Sequence, residues 1–240
     1  MGEVGVVRAT AVRLGTGAED DVRTTYRHRT AILQPGATAA SLDRHPIVTE
    51  RIDTRSPPPD PRSRRRHPYA GAMPRSPALV LLAAGAGSRF DGPAHKLSSR
   101  LPATGAEPAE TVVERAVRHA LQADAGPVIV VVGATDHPLG DDLAGRVTLR
   151  RNPSWADGQA TSLQAGIDEA RTGDHDAVVV GLADQPGITP ATWRLVADAP
   201  GPIAVATNDG RRANPVRLDA AIWHLLPTTG DEGARTLMRV

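Results

Sequence analysis

From residue 78 onward the chain alternates short apolar runs with segments whose apolar residues recur every three or four positions. "ALVLLAA" at 78–84 and "PVIVVVG" at 127–133 read as strands buried on both faces, because a strand with one wet face would alternate apolar and polar residues. Between them, Val112, Val113, Ala116, Val117, Ala120 and Leu121 repeat at helical spacing. "RVTLR" at 146–150 is a shorter strand, followed by a helix marked by Leu163, Ile167 and Ala170. "AVVVGLA" at 177–183 is the next buried strand. Thr189 before Pro190 has the form of a helix cap and first helical residue, opening a helix that carries Trp193 and Val196. "PIAVAT" at 202–207 and "NPVRLD" at 214–219, separated by an "NDGR" turn, complete the pattern as two further strands. Strands and helices alternating at this spacing predict an α/β domain of three layers, a mostly parallel sheet between helices. In such sheets ligands bind outside the carboxyl ends of the strands.

Residues 1–75 lack a sustained period of either 2 or 3.6 and close on "RSPPPDPRSRRRHP". Pro57, Pro58, Pro59 and Pro61 forbid helix and ladder pairing there, which predicts an extended, solvated, disordered segment. Arg64, Arg65 and Arg66 belong to this linker chemistry rather than to a nucleic-acid patch. Met73 stands five residues before the first buried run, so translation from Met73 is a further expectation, with residues 76–240 as the folded domain.

Composition narrows the function. Residues 1–75 hold 13 arginines and 8 acidic residues, whereas residues 76–240 hold 15 Lys and Arg against 19 acidic residues. The basic character thus lies in front of the predicted domain, and nucleic-acid binding by that domain has no charge support. Cysteine is absent, which excludes disulfides, thiolate metal sites and a cysteine nucleophile. No apolar run approaches bilayer length, so a water-soluble, cytoplasmic protein is expected.

Of the 28 Lys and Arg residues only Lys96 is a lysine, and it follows the glycine-rich turn after the first buried strand. "LAAGAGSRFDGPAHK" at 82–96 sets Gly85, Gly87 and Gly92 beside Arg89 and Lys96. Glycines let backbone N–H groups close on phosphate oxygens, and cations neutralise charge the amides cannot. The Gly-Lys-Ser/Thr of a Walker A loop is absent, and Phe90 stands where a dinucleotide fingerprint needs its third glycine. Asp184 is the first acidic residue after the strand at 177–183, where a carboxylate can hold a divalent cation against a phosphate. Asp174, His175 and Asp176 precede that strand and fall at the opposite edge, and Asp141 and Asp142 diverge on a helix. Without a G-x-S-x-G elbow, serine hydrolase chemistry has no support. Trp155, Trp193 and Trp223 are expected as core or cleft-wall aromatics.

Five segments in order, "LAAGAGSRFDGPAHKL", "NPSWADGQATSLQAG", "LADQPGIT", "ANPVRL" and "GDEGAR", resemble the MobA-like NTP transferases, most closely the molybdenum-cofactor cytidylyltransferases. The resemblance covers nearly everything from residue 79 and implies a Rossmann-like fold of the nucleotide-diphospho-sugar-transferase type. It implies a nucleotide site at Leu82, Ala83, Ala84, Gly85, Ala86, Gly87, Ser88, Arg89 and Lys96, with Gly158 and Ser162 near base or ribose. Arg89, Lys96 and Asp184 are implied as catalytic, Asp184 as the Mg2+ ligand, and Asn214, Asp231, Glu232 and Arg235 as the acceptor side. The implied reaction moves CMP from CTP to a small phosphorylated acceptor such as molybdopterin, releasing pyrophosphate. Sugar-phosphate or isoprenoid-pathway nucleotidyl transfer is the alternative within the enzyme class. The chain departs from the family pattern at Ala213, where glycine is usual, and it ends at Val240, before the strand and acidic "DIDTPEDL"-like segment that the resemblance implies. A truncated, catalytically impaired nucleotide-binding remnant is therefore a third expectation.

Overall fold

The computed structural model describes residues 7–12, 30–32, 76–87, 95–105, 107–208 and 211–238. The apolar runs become the central strands β3 (Ala78–Ala83), β6 (Val128–Val132) and β8 (Ala177–Leu182), with β7 (Val147–Arg151) at one edge. β3 pairs in parallel with both β6 and β8, and β6 pairs in parallel with β7. Beyond β8 the chain adds β10 (Arg211–Asp219), antiparallel to β8 and to β9 (Ile203–Asn208). In the order β9-β10-β8-β3-β6-β7, five of six strands run the same way, the mostly parallel sheet the sequence predicts.

Alternate residues of each central strand go to opposite layers. Leu79, Leu81, Val128, Val130 and Val179 face α1 (Val112–Ala123), α2 (Asp141–Ala144) and α4 (Pro190–Ala197), where Val117, Leu143 and Trp193 meet them. Val80, Ile129, Val131 and Val178 face α3 (Gln159–Thr172), with Leu163, Ile167 and Trp223. Each wholly buried Leu or Val contributes about 1.5–3 kcal/mol, so the two layers together dominate the folding drive.

The helix ends follow their sequence signals. Thr111 and Glu114 form a reciprocal capping box on α1. Burial by itself would raise the Glu114 carboxyl, but hydrogen bonds from Thr111 and from the Gly140 N–H, with the Arg100 charge, hold it below its usual range. Thr189 accepts from Thr192 N–H with Pro190 at the first turn of α4. Ahead of α1, β4 (Arg100–Leu101) and β5 (Glu110–Thr111) form a small hairpin. It is held by buried Arg115, which donates to the buried Glu110 carboxylate at 2.8 Å.

The front segment departs from the expected uninterrupted disorder. β1 (Val7–Val12) pairs antiparallel with β9 from Val7↔Asn208 to Val12↔Ile203, and β2 (Thr30–Ile32) pairs with β1. The sheet thereby has eight strands, ordered β2-β1-β9-β10-β8-β3-β6-β7. The physical reason is tertiary: small Ala and Val side chains in "VRATAV" give only a faint period, but β9 offers an unfilled row of backbone donors and acceptors. The proline cluster and the Arg64–Arg66 run lie outside the described residues.

Candidate active site

β3 and β8 end side by side, and the loops leaving their carboxyl ends carry Gly85 to Gly87 and Asp184. Gly87 has φ +65°, the left-handed region, and a Cβ there would lie 2.9 Å from His95 Nε2. This position therefore requires glycine twice over, for backbone conformation and for space. A Cβ on Gly85 would meet nothing within 4 Å, leaving that face of the turn open. Ser88 and Arg89 lie outside the described residues.

Lys96 stands on a short 3-10 turn, Lys96–Ser98, and its Nζ donates to Asp184 Oδ2 at 2.8 Å. The two residues are 88 positions apart in the chain and remain 44% and 37% exposed at their side chains. An opposed, solvent-reachable cation and carboxylate beside a glycine turn is a pair that a phosphate and a divalent cation can separate, each taking one partner.

Next to this pair lies a cavity of ≈ 710 Å³ over the carboxyl ends of β8 and β9. Leu82, Leu163, Val180, Leu182 and Val205 form its apolar floor, while Gln159, Gln185, Asn208 and Arg212 supply polar groups. Asn214, Glu232 and Arg235, the predicted acceptor-side residues, line it as well. The β10 register shifts between Ala213 and Val216, and Asn214 there donates from Nδ2 to Gln185 Oε1 at 2.9 Å. That bond ties the wall of the cavity to the loop bearing Asp184.

Other predicted residues have roles within the scaffold. Leu82, Ala83 and Ala84 are buried; the Leu82 carbonyl accepts from Ala183 N–H, and that of Ala84 from Ala134 N–H. Ser162 is 4% exposed and its Oγ accepts from Asn152 Nδ2 at 3.0 Å. Gly158 has φ +108°, and a Cβ on it would be 2.5 Å from the Gly230 carbonyl oxygen. The chain's own 228–233 turn makes this close approach. Asp231 does not line the cavity; its Oδ1 accepts from Gln159 N–H, while the Gly230 carbonyl accepts from Ala160 N–H. These two contacts cap α3, whose leading residue Gly158 offers no side chain to do so. Gly158→Ala is therefore expected to displace the 228–233 turn and to lower thermal stability by roughly 2–3 kcal/mol, read by a melting curve. Trp193 and Trp223 are buried core residues, and Trp155 is half-buried against Gly133.

Sequence reasoning assigned no role to His95. Its Nδ1 accepts from Leu97 N–H at 3.2 Å, so the proton stands on Nε2, which reaches the Gly85 carbonyl at 3.1 Å. His137 packs on it with ring centroids 4.6 Å apart and is itself 4% exposed. Burial first, and then the neighbouring His95, hold the His137 imidazole below its ordinary value of 6.5. The Ala83 carbonyl opposes that shift, yet neither His137 nitrogen meets a partner in hydrogen-bond geometry. The signal for His95 was its place beside the lone lysine, but a histidine at a loop end is too common a feature to read without its partners.

The carboxyl-end cleft, with its glycine turn and an exposed Lys–Asp pair, has the features of the nucleotidyl-transferring α/β class. The chain belongs to the MobA-like NTP transferase domain family, whose pattern matches residues 79–240. Among solved structures it is similar to a nucleotidyl transferase from Methanothermobacter thermautotroptrophicus, with 28% identity over 67% of this chain and 79% of that one, at a TM-score of 0.52. It is also similar to Rv0371c from Mycobacterium tuberculosis, with 20% identity, 70% and 84% coverage and a TM-score of 0.51. A homologue of that protein from Mycobacterium sp. strain JC1 shares 18% identity, with 70% and 82% coverage and a TM-score of 0.50. The latter two share the fold. No curated protein matches the chain. Among the described residues no helix is long and apolar enough to cross a membrane.

Proposed function

We propose that the protein transfers CMP from CTP to a small phosphorylated acceptor of the molybdopterin type, releasing pyrophosphate in the cytoplasm. The observation that carries this reading is the Lys96–Asp184 pair at the joint carboxyl ends of β3 and β8, open to solvent and flanked by the cavity. An acceptor phosphate oxygen attacks the α-phosphorus, and the bond from that phosphorus to the bridging oxygen breaks, its electron pair leaving with pyrophosphate. No covalent intermediate on the protein is needed, so the work of the chain is positioning and charge neutralisation.

The open face of Gly85 and the Gly87 turn offer backbone amides to the triphosphate, and Lys96 exchanges Asp184 for a phosphate oxygen. Arg89 adds a second cation by family resemblance. Asp184 fits a Mg2+ ion of the kind held by one carboxylate and substrate phosphates, and the described residues hold no cluster of three ligands that would form an all-protein cage. When bound, that ion supplies charge neutralisation at the phosphates. Asn214, Glu232 and Arg235, with the apolar floor, receive the acceptor.

The test is a matrix of CTP, GTP, ATP and UTP with Mg2+ against molybdopterin, sugar 1-phosphates and an isoprenoid-pathway phosphate, read as pyrophosphate release. Release with CTP and molybdopterin is expected. Turnover confined to another acceptor moves the protein to the alternative transferase class, and CTP binding with no turnover anywhere assigns it as a remnant.

A further inference from the structure

We infer that His95 is a positioning residue for the triphosphate, holding the glycine turn and Lys96 at a fixed separation. The inference rests on the transferase reading above. The His95 imidazole joins the glycine turn to the turn that carries Lys96: Nε2 to the Gly85 carbonyl, Nδ1 to the Leu97 amide. Leu97 is 5% exposed and belongs to the core, so its amide is a fixed anchor. Gly85 sits on the exposed turn after buried Ala84.

Three observations beyond the two hydrogen bonds support a positioning role. The Gly87 backbone approaches the ring so closely that a methyl group would collide with it, so ring and turn are fitted to one another. Buried His137 packs against the ring at 4.6 Å with an interplanar angle of 47°, neither of its nitrogens hydrogen-bonded. Lys96 is the residue between His95 and Leu97, so clamping those two neighbours sets the origin of the side chain whose Nζ reaches Asp184. A turn free to drift relative to that lysine would present its amides and its cation to different places. His95 therefore converts two separate phosphate-binding features into one.

The two ring nitrogens can be separated by substitution. The Asn side-chain oxygen stands where Nδ1 stands and retains the cap on the Leu97 amide, but cannot reach Gly85. The Gln side-chain nitrogen reaches toward the Nε2 position and can donate to Gly85. Calorimetry with CTP and with inorganic tripolyphosphate is expected to show His95→Ala and His95→Asn binding both probes roughly tenfold more weakly, with His95→Gln recovering most of the loss. In turnover assays the KM for CTP should rise while the KM for the acceptor stays put, and the melting temperatures of Asn and Gln variants should agree. Equal affinity of wild type and His95→Ala overturns the inference. So does a uniform fall in all three variants that tracks their melting temperatures, or full retention in His95→Asn. If wild-type protein binds none of the four triphosphates, the transferase reading itself fails and the inference falls with it.

Discussion

Asp184→Asn is expected to lower pyrophosphate release by roughly 10³-fold, about 4 kcal/mol of transition-state stabilisation, with the fold unchanged. The size follows from losing at once the role proposed for Asp184 toward a divalent cation and its contact with Lys96. Stability should barely move, because the Lys96–Asp184 pair is more than a third exposed at both side chains and such pairs contribute about 0–1 kcal/mol. CTP affinity measured without metal should hold steady or tighten, since Lys96 no longer has an internal carboxylate to leave. A variant with near-wild-type turnover removes Asp184 from the chemistry. Lys96→Arg sharpens the same point from the other partner. If phosphate contact needs only a cation, CTP binding persists, whereas a large fall in kcat with binding intact shows that lysine's compact head is required.

Removal of residues 1–72 is expected to destabilise the domain strongly and to make it self-associate. The deletion strips β1 from β9 along six paired positions and leaves a six-residue edge with unpaired donors and acceptors. A point substitution tests the same strand with the chain intact. Ala9 is 3% exposed and packs in the layer that contains Trp193 and Ala204. Ala9→Glu places an unpaired carboxylate there, a loss of about 3 kcal/mol, which corresponds to a melting temperature roughly 6–12 °C lower. If both proteins melt with the full-length chain, β1 contributes nothing to stability. Because β9 also supplies Val205 to Asn208 to the cavity, loss of β1 should weaken acceptor binding before it touches the Lys96–Asp184 pair.

The central sheet was legible because strands buried on both faces need continuous apolar runs, and 78–83, 128–132 and 177–182 have them. Thr111 and Thr189 announced their helices through local capping chemistry, which acts over three residues and so is written in adjacent sequence. Lys96 and Asp184 were legible singly, each by residue type and place after a strand. At Gly158 the sequence shows a small residue and does not show that Gly230, 72 positions later, packs against it. Ser162 belongs to the same group, its hydroxyl taken by Asn152 across the β7–α3 junction.

Local order in the sequence alone determined which segments of residues 76–240 became the main strands and helices, where two of the helices begin, and that a glycine turn with a lone lysine follows the first buried strand. These are properties of neighbours a few residues apart, governed by periodicity and short-range hydrogen bonding. Only the tertiary structure decided that Lys96 meets Asp184, that His95 locks Gly85 to Leu97, that the 228–233 turn caps α3, and that Val7–Val12 closes the edge of β9. Apart from the His95 contacts, those contacts join positions from 70 to about 200 residues apart, and they exist because the sheet order, not the chain order, decides which ends lie side by side.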